Sequence, residues 1–315
     1  FQLVGTMWHG GLTYPITCGE SHGALIGTDL IVVSGFTEGY GQATAKNYAL
    51  DTSNSSAVWR RLADLPIPEG VTHGAHVVVG KEFYMCGGFL GGHPGGHIST
   101  CVVYDHPTNK WDTFAPLPAG RAGGGMIHDS TRNALFFNGG AQRPAGTYNY
   151  TDFNETWMYS FNDPSAGWGS KPASPFLSNH KSYVTAIDNL GRKRHFFIGG
   201  QVGGDEPNGN IVDNYEFDAI GETWTKRQNM PFPRGHATSS TIAVSCGFII
   251  IAGTTNGTGK TSDISYYDIP SNTWTKIGNL NTGINSPVCA ISGGTLSCVT
   301  GWETGYYSAK IQIEI

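Results

Sequence analysis

An all-β ring of repeated sheets is the fold this sequence predicts, on three observations. Tryptophan recurs at Trp8, Trp59, Trp111, Trp168, Trp224 and Trp274, at spacings of 51, 52, 57, 56 and 50 residues. An aromatic-acidic turn stands six or seven residues ahead of three of them, as Tyr104-Asp105, Phe217-Asp218 and Tyr267-Asp268. A pair of small residues follows an apolar run in every repeat: Gly87-Gly88, Gly139-Gly140 and Gly199-Gly200, with Ser34-Gly35, Ala252-Gly253 and Thr300-Gly301 as variants. A period near 50 over the whole chain means stacked copies of one supersecondary unit. Closing such sheets into a ring leaves only short, protected edges, which gives a β-propeller.

The double glycine after a β run, the Tyr-Asp turn and the Trp that follows resemble the blade pattern of the Kelch family, and the resemblance covers essentially the whole chain. It implies four strands per repeat, a to d from the axis outward. Repeat two shows them best, at His73–Val79, Glu82–Cys86, Thr100–Tyr104 and Lys110–Phe114. The other repeats supply 23–33 and 48–50, 124–137 and 156–161, 182–198 and 215–217, and 238–251 and 265–267. The sixth repeat runs to Lys310–Ile315 without a Trp strand, whereas Val4-Gly5-Thr6-Met7-Trp8 is a Trp strand without a blade. The expectation is therefore one domain over residues 1–315, a six-bladed propeller closed by the N-terminal strand. The Trp and glycine-pair positions read as structural. Function stays open, because Kelch propellers include enzymes, lectin-like binders and interaction modules.

Composition narrows the partners. The net charge is −5, charged residues make up 14% of the chain, and no Lys/Arg run occurs, which argues against nucleic acid. No apolar stretch is long enough for a membrane-spanning helix. Four N-x-S/T sequons, at Asn54, Asn149, Asn154 and Asn256, fall in expected loops and favour a secreted, N-glycosylated protein. Phe1-Gln2-Leu3 already reads as a strand, which fits a processed, extracellular chain. Cys289 and Cys298 flank the turn Ser292-Gly293-Gly294-Thr295, and a hairpin there sets them opposite one another. Cys86 ends one strand and Cys101 begins its neighbour, so a second disulfide is expected. Cys18 and Cys246 have no assigned partner.

Histidines collect at one end. Aligned on the entry to strand a, four repeats place a His at one position: His22, His73, His180 and His236, with Gly123 and Ser286 in the other two. Sixfold pseudo-symmetry puts these at one mouth of the channel, where loops from every blade converge. The b–c loops of that face add His93, His97, Tyr40, Tyr148, Trp157, Trp302, Tyr306 and Tyr307, and Arg121, Arg234, Glu20 and Lys181 lie one or two residues from the ring. His106 and His128 are assigned to the opposite turns.

No Gly-x-Ser-x-Gly elbow and no Cys–His pair suggests a hydrolase nucleophile. Two carboxylates placed for glycoside hydrolysis are not indicated, and no copper-radical ligand set is evident. Three readings remain. The first is a secreted carbohydrate-binding propeller with His22, His93, His97, Trp302 and Tyr306 as ligand contacts. The second is a polysaccharide lyase cleaving uronate-containing glycans by β-elimination. There Arg121 or Arg234 neutralises the carboxylate, His73, His180 or His236 is the base, and Tyr183 is the acid. A variant puts a divalent metal on His22, His73, His180 and His236 in place of the arginine; otherwise no cofactor is expected. The third is an extracellular interaction or self-assembling module.

Overall fold

The structure, a computed structural model, describes residues 2–3, 9–10, 13–37, 39, 41–204, 208–257, 259–301 and 307–312. Five antiparallel four-stranded sheets follow one another along the chain. Blade I is His22–Ile26, Asp29–Val33, Asn47–Asp51 and Arg60–Arg61. Blade II is Ala75–Val79, Glu82–Cys86, Cys101–Asp105 and Lys110–Phe114. Blade III is Gly125–Asp129, Ala134–Gln142, Thr151–Ser160 and Trp168–Lys171. Blade IV is Ser182–Ile187, Lys193–Ile198, Asn214–Asp218 and Thr223–Lys226. Blade V is Thr241–Val244, Gly247–Ile251, Asp263–Asp268 and Thr273–Asn279. The b strands are buried almost throughout (Gly247–Ile251 completely), and the d strands are mostly exposed. That gradient is what a ring of sheets packed face to face requires.

Six four-stranded blades were expected, and the structure shows five. The remaining sheet is built differently. Val288–Ser292, Thr295–Val299 and Tyr307–Gln312 pair in order. The outer edge of the third strand is taken by two short segments, Gln2–Leu3 opposite Gln312 and Ile311, and His9–Gly10 opposite Ser308 and Tyr307. The expected outer strand, Val4 to Trp8, lies outside the described residues. The sheet packs on blade V through Ile249, Ile251, Cys289 and Leu296, and on blade I through Leu30, Val32, Val288 and Val299.

Two repeated devices hold the ring. In four blades the indole N–H of the outer-strand Trp donates to a backbone carbonyl about fifty residues earlier: Trp111 to Ala63, Trp168 to Ala115, Trp224 to Pro172 and Trp274 to Gln228, at 2.8–3.2 Å. Each Trp thus ties its blade to the one before it. Second, both members of every small-residue pair have positive φ, from Ser34 (52°) and Gly35 (117°) to Thr300 (67°) and Gly301 (81°). A Cβ on the second member would fall on a backbone carbonyl of the turn that enters strand a: Gly19, Thr72, Ala122, Asn179, Gly235 or Asn285. Close approach is the reason for glycine there. Gly200→Ala, which would drive a Cβ into the Asn179 carbonyl at φ +88°, is expected to cost more than about 1 kcal/mol in urea unfolding. An unchanged midpoint would contradict this packing.

Both expected cysteine pairs are disulfides, Cys86–Cys101 and Cys289–Cys298, each joining directly opposite residues of adjacent strands. Cys18 and Cys246 are free thiols. The expected strand from Thr238 in blade V begins at Thr241 instead. Thr238–Ser240 is a 3-10 turn whose Ser240 hydroxyl, with that of Thr241, donates to the Ala237 carbonyl, a local bond that competes with extended pairing.

Candidate functional site

The turn into each inner strand ends on one residue in the left-handed conformation. The six are Glu20 (φ 53°), His73 (57°), Gly123 (65°), His180 (49°), His236 (55°) and Ser286 (52°). The residue before each contacts the second residue of the small pair, and antiparallel bridges pin the turns, as Gly19–Phe36, Asn179–Gln201 and Gly235–Thr254. The backbone therefore fixes where these side chains start, and they converge on one concave mouth, which Ser21, Gly74 and Gly124 also line.

This corrects the ring. His22 is not its fourth histidine; Glu20 holds that position. His22 stands two residues on, inside strand a, with both ring nitrogens committed. Nδ1–H donates to the Val33 carbonyl at 3.2 Å, and Nε2 accepts the Gly74 N–H at 2.7 Å. Burial holds its pKa down at about 3. Beside it lies His76, which the sequence reading passed over. Its Nε2–H donates to the Gly23 carbonyl at 3.1 Å, and burial lowers its pKa to about 4.

At the mouth, His73, His180 and His236 each offer a ligand nitrogen, and these atoms lie within 4.8 Å of one another. Neighbouring rings are 4.3 Å (His73–His180) and 4.2 Å (His180–His236) apart. Glu20 faces them, with Oε2 at 2.5 Å from His73 Nε2 and Oε1 at 3.8 Å from His236 Nε2. The Nδ1 atoms point away to oxygen: His73 to Thr72 Oγ1 at 2.8 Å, His236 to Thr254 Oγ1 at 3.0 Å, and His180 to Asn179 Oδ1. Burial, with the charges of His236, His73 and Arg143, holds the His180 pKa well below the usual histidine range.

Arg143 is the second residue that sequence reasoning missed. It is fully buried, and among the described residues no carboxylate pairs with it. Its guanidinium donates to the Gly95 carbonyl (2.9 and 3.1 Å), Tyr150 Oη (2.6 Å) and His93 Nε2 (2.9 Å), and lies 3.8 Å over the Phe89 ring. His93 is thus tied to Arg143 and stacks near Tyr148. His97 is a clasp between blades II and III, its Nδ1 accepting the Arg143 N–H at 3.0 Å.

The proposed lyase set is not assembled. Arg121 donates to Glu155 at 3.2 Å and lies 3.7 Å over Phe153. Arg234 is buried against Asp263 (2.6 Å) and the Ile250 carbonyl (3.0 Å). Neither guanidinium is free to neutralise a substrate. Tyr183 lies beneath the mouth on the inner strand, its hydroxyl accepting the His76 N–H at 2.7 Å, and burial raises its pKa, which makes it a poor acid. Trp157 is core, stacked 5.8 Å from Phe137. Trp302 and Tyr306 lie outside the described residues. On the opposite face, His106 bonds Asp29 (2.8 Å) and His195 bonds Asp129 (3.1 Å).

Comparisons with known proteins follow the fold. No family model matches the chain. A Kelch repeat-containing protein of Arabidopsis thaliana is 25% identical over 284 residues, covering 84% of this chain, and the match spans 64% of the length of that curated relative. A solved structure described as that of YjhT superposes with a TM-score of 0.71 at 17% identity, covering 96% of this chain and 97% of its own. Repeat pattern, blade topology and these likenesses together identify the chain as a Kelch-type β-propeller.

Proposed function

We propose that the chain is a ligand-binding propeller whose site is the axial mouth, and that its ligand is a small, oxygen-rich anion of the sugar-acid class, free or as the uronate of a glycan. The supporting observation is the set of hydrogen-bonding side chains at the mouth. Three imidazoles from separate blades line one concavity with the Glu20 carboxylate, and the buried Arg143 charge lies close enough to lower the pKa of His180. Neutral imidazoles hydrogen-bond sugar hydroxyls and carboxylate oxygens, and the field of the nearby Arg143, which already disfavours protonation of His180, favours an anion. Gly123 and Ser286 are the small members of the ring that lines the mouth. Binding without chemistry is favoured over β-elimination, because Arg121, Arg234 and Tyr183 are held in structural roles.

The two disulfides fit an extracellular setting. Asn54 and Asn149 are exposed, as glycosylation needs. Asn154 instead sits in a strand, its amide donating to the Ser174 carbonyl at 2.7 Å, and the Asn256 amide donates to the Asn210 carbonyl at 3.1 Å. We read the last sheet as a sixth blade completed by the N-terminal segments, whose pairing with Tyr307–Gln312 supports that count. Among the described residues, no helix is long and apolar enough to cross a membrane.

Calorimetric titration with a panel of uronates, aldonates and uncharged sugars tests the function. Saturable binding of acids over their uncharged counterparts, weakened at least tenfold by His73→Ala, is expected. No binding across the panel, or binding indifferent to that substitution, would reject it. Growth of ultraviolet absorbance from unsaturated uronate would return the lyase reading.

A further inference from the structure

We infer that Glu20, His73, His180 and His236 form a binding site for a divalent transition-metal ion at the channel mouth. The inference deepens the proposed function, since it rests on the mouth being the ligand site and names the centre the ligand would meet.

Four observations carry it. The potential ligand atoms of the three histidines already lie within 4.8 Å of one another. A tetrahedral ion with bonds of about 2.0–2.1 Å sets its ligand atoms roughly 3.3 Å apart, so small side-chain rotations close the site. Each imidazole is oriented from behind at Nδ1: the Asn179 side-chain oxygen accepts from His180, which leaves the lone pair on its Nε2, and the hydroxyls of Thr72 and Thr254, which can accept or donate, hold His73 and His236. Metal-bound histidines are held by such outer partners. The carboxylate that completes an N3O set stands where a fourth ligand belongs, against Nε2 of His73 and within 3.8 Å of Nε2 of His236. Finally, all four residues leave the backbone from the same left-handed turn position. The ligands come from blades I, II, IV and V, so the ion would tie separate repeats together across the axis.

The ring residues of blade III and the last sheet, Gly123 and Ser286, offer no imidazole or carboxylate. A ligand would therefore reach the ion as a fifth donor, from the side that these small residues leave uncovered. Imidazole-rich donors suit zinc, iron, cobalt, nickel or copper, and not calcium, magnesium or manganese, which favour oxygen.

The test uses untagged protein, stripped by chelator and dialysed, and titrated with cobalt(II) and zinc(II). Expected are one equivalent bound, ligand-field absorption of low-symmetry cobalt, and a higher melting temperature with either ion. His180→Ala and Glu20→Gln should each weaken cobalt binding, the first by more than about 100-fold, while His128→Ala, at the far end of the inner strand of blade III and not on a turn as expected, binds as the parent does. If His180→Ala fails to fold, X-ray absorption of the cobalt-loaded parent replaces it, with three imidazole nitrogens expected in the first shell. Less than half an equivalent retained, or fewer than three imidazoles, overturns the inference. Sugar-acid binding by the stripped protein with no metal uptake overturns the metal and leaves the proposed function standing. Metal uptake with no sugar-acid binding does the reverse.

Discussion

Lowering the pH from 7 to 4 is expected to remove about 3 kcal/mol of folding stability through His76 alone. The buried ring is held neutral by its place in the inner strand. Nε2–H donates to Gly23, and Nδ1 faces the Tyr183 hydroxyl at 3.5 Å. His22 stands edge-on at 5.7 Å, where a second positive charge would be repelled. The folded pKa is about 4 against 6.5 for the free side chain. The sign follows from which state takes up the proton. Between those two values the unfolded chain is protonated and the folded chain is not, so protons favour unfolding. The stabilisation is complete above 6.5 and disappears as pH falls towards 4, at about 1.4 kcal/mol per unit. Urea midpoints measured from pH 7.5 to 4 should decline through this window, and His76→Gln should flatten the decline. A midpoint constant from pH 7 to 4.5 would contradict the burial and the tautomer assigned here.

The second large effect separates a structural arginine from a catalytic one. Asp263→Ala should cost about 3–5 kcal/mol, because it strands the Arg234 guanidinium in the interior. Arg234 would keep the Ile250 carbonyl (3.0 Å), Ser265 Oγ (3.2 Å) and the Phe232 ring (4.6 Å), but no counter-charge. Removing both charges, as in Arg234→Met with Asp263→Leu, should cost less than either single change, since no unpaired ion remains. Calorimetric unfolding of the three variants decides it. If Asp263→Ala costs under about 1 kcal/mol while Arg234→Met keeps its stability and loses ligand, Arg234 belongs to the site after all.

The parts of the fold legible in the sequence are those where a physical demand leaves few residue choices. Two successive positive-φ positions packed on a carbonyl admit only small residues, so Gly199-Gly200 and its five counterparts stand out, even where Ser34, Ala252 or Thr300 fills the first place. A Trp that must span to the preceding blade's carbonyl is equally hard to replace. The cysteines were legible because hairpin register alone sets Cys289 opposite Cys298.

The site was legible only in part. His73, His180 and His236 were placed together correctly. His22 was aligned by residue type, and type misled, because equivalence in this ring is a backbone property that glutamate, serine and glycine share. Counting back fourteen residues from the first member of the small pair leads from Gly87 to His73, from Thr300 to Ser286 and from Ser34 to Glu20. In these three repeats that spacing held the answer; it is sixteen at Gly123 and His236 and nineteen at His180, where the inner hairpin is longer. Arg143 and His76 had no comparable signal. One sits in a loop of irregular length and the other in an apolar strand, and only folding brings His76 to the mouth and Arg143 against His93. Arg121 and Arg234 misled for the opposite reason, since nearness to the ring along the chain did not carry their guanidinium groups into it.

The central claim, that the axial mouth is where this propeller meets its ligand, is tested most directly by imidazole nitrogen NMR of histidine-labelled protein during titration with galacturonate and other sugar acids, with and without cobalt or zinc. The account predicts that His73, His180 and His236 respond together, while His106, His128 and His195 on the opposite face stay unchanged. Silence from the three mouth histidines while the protein binds its ligand, or a response confined to the far face, would contradict it.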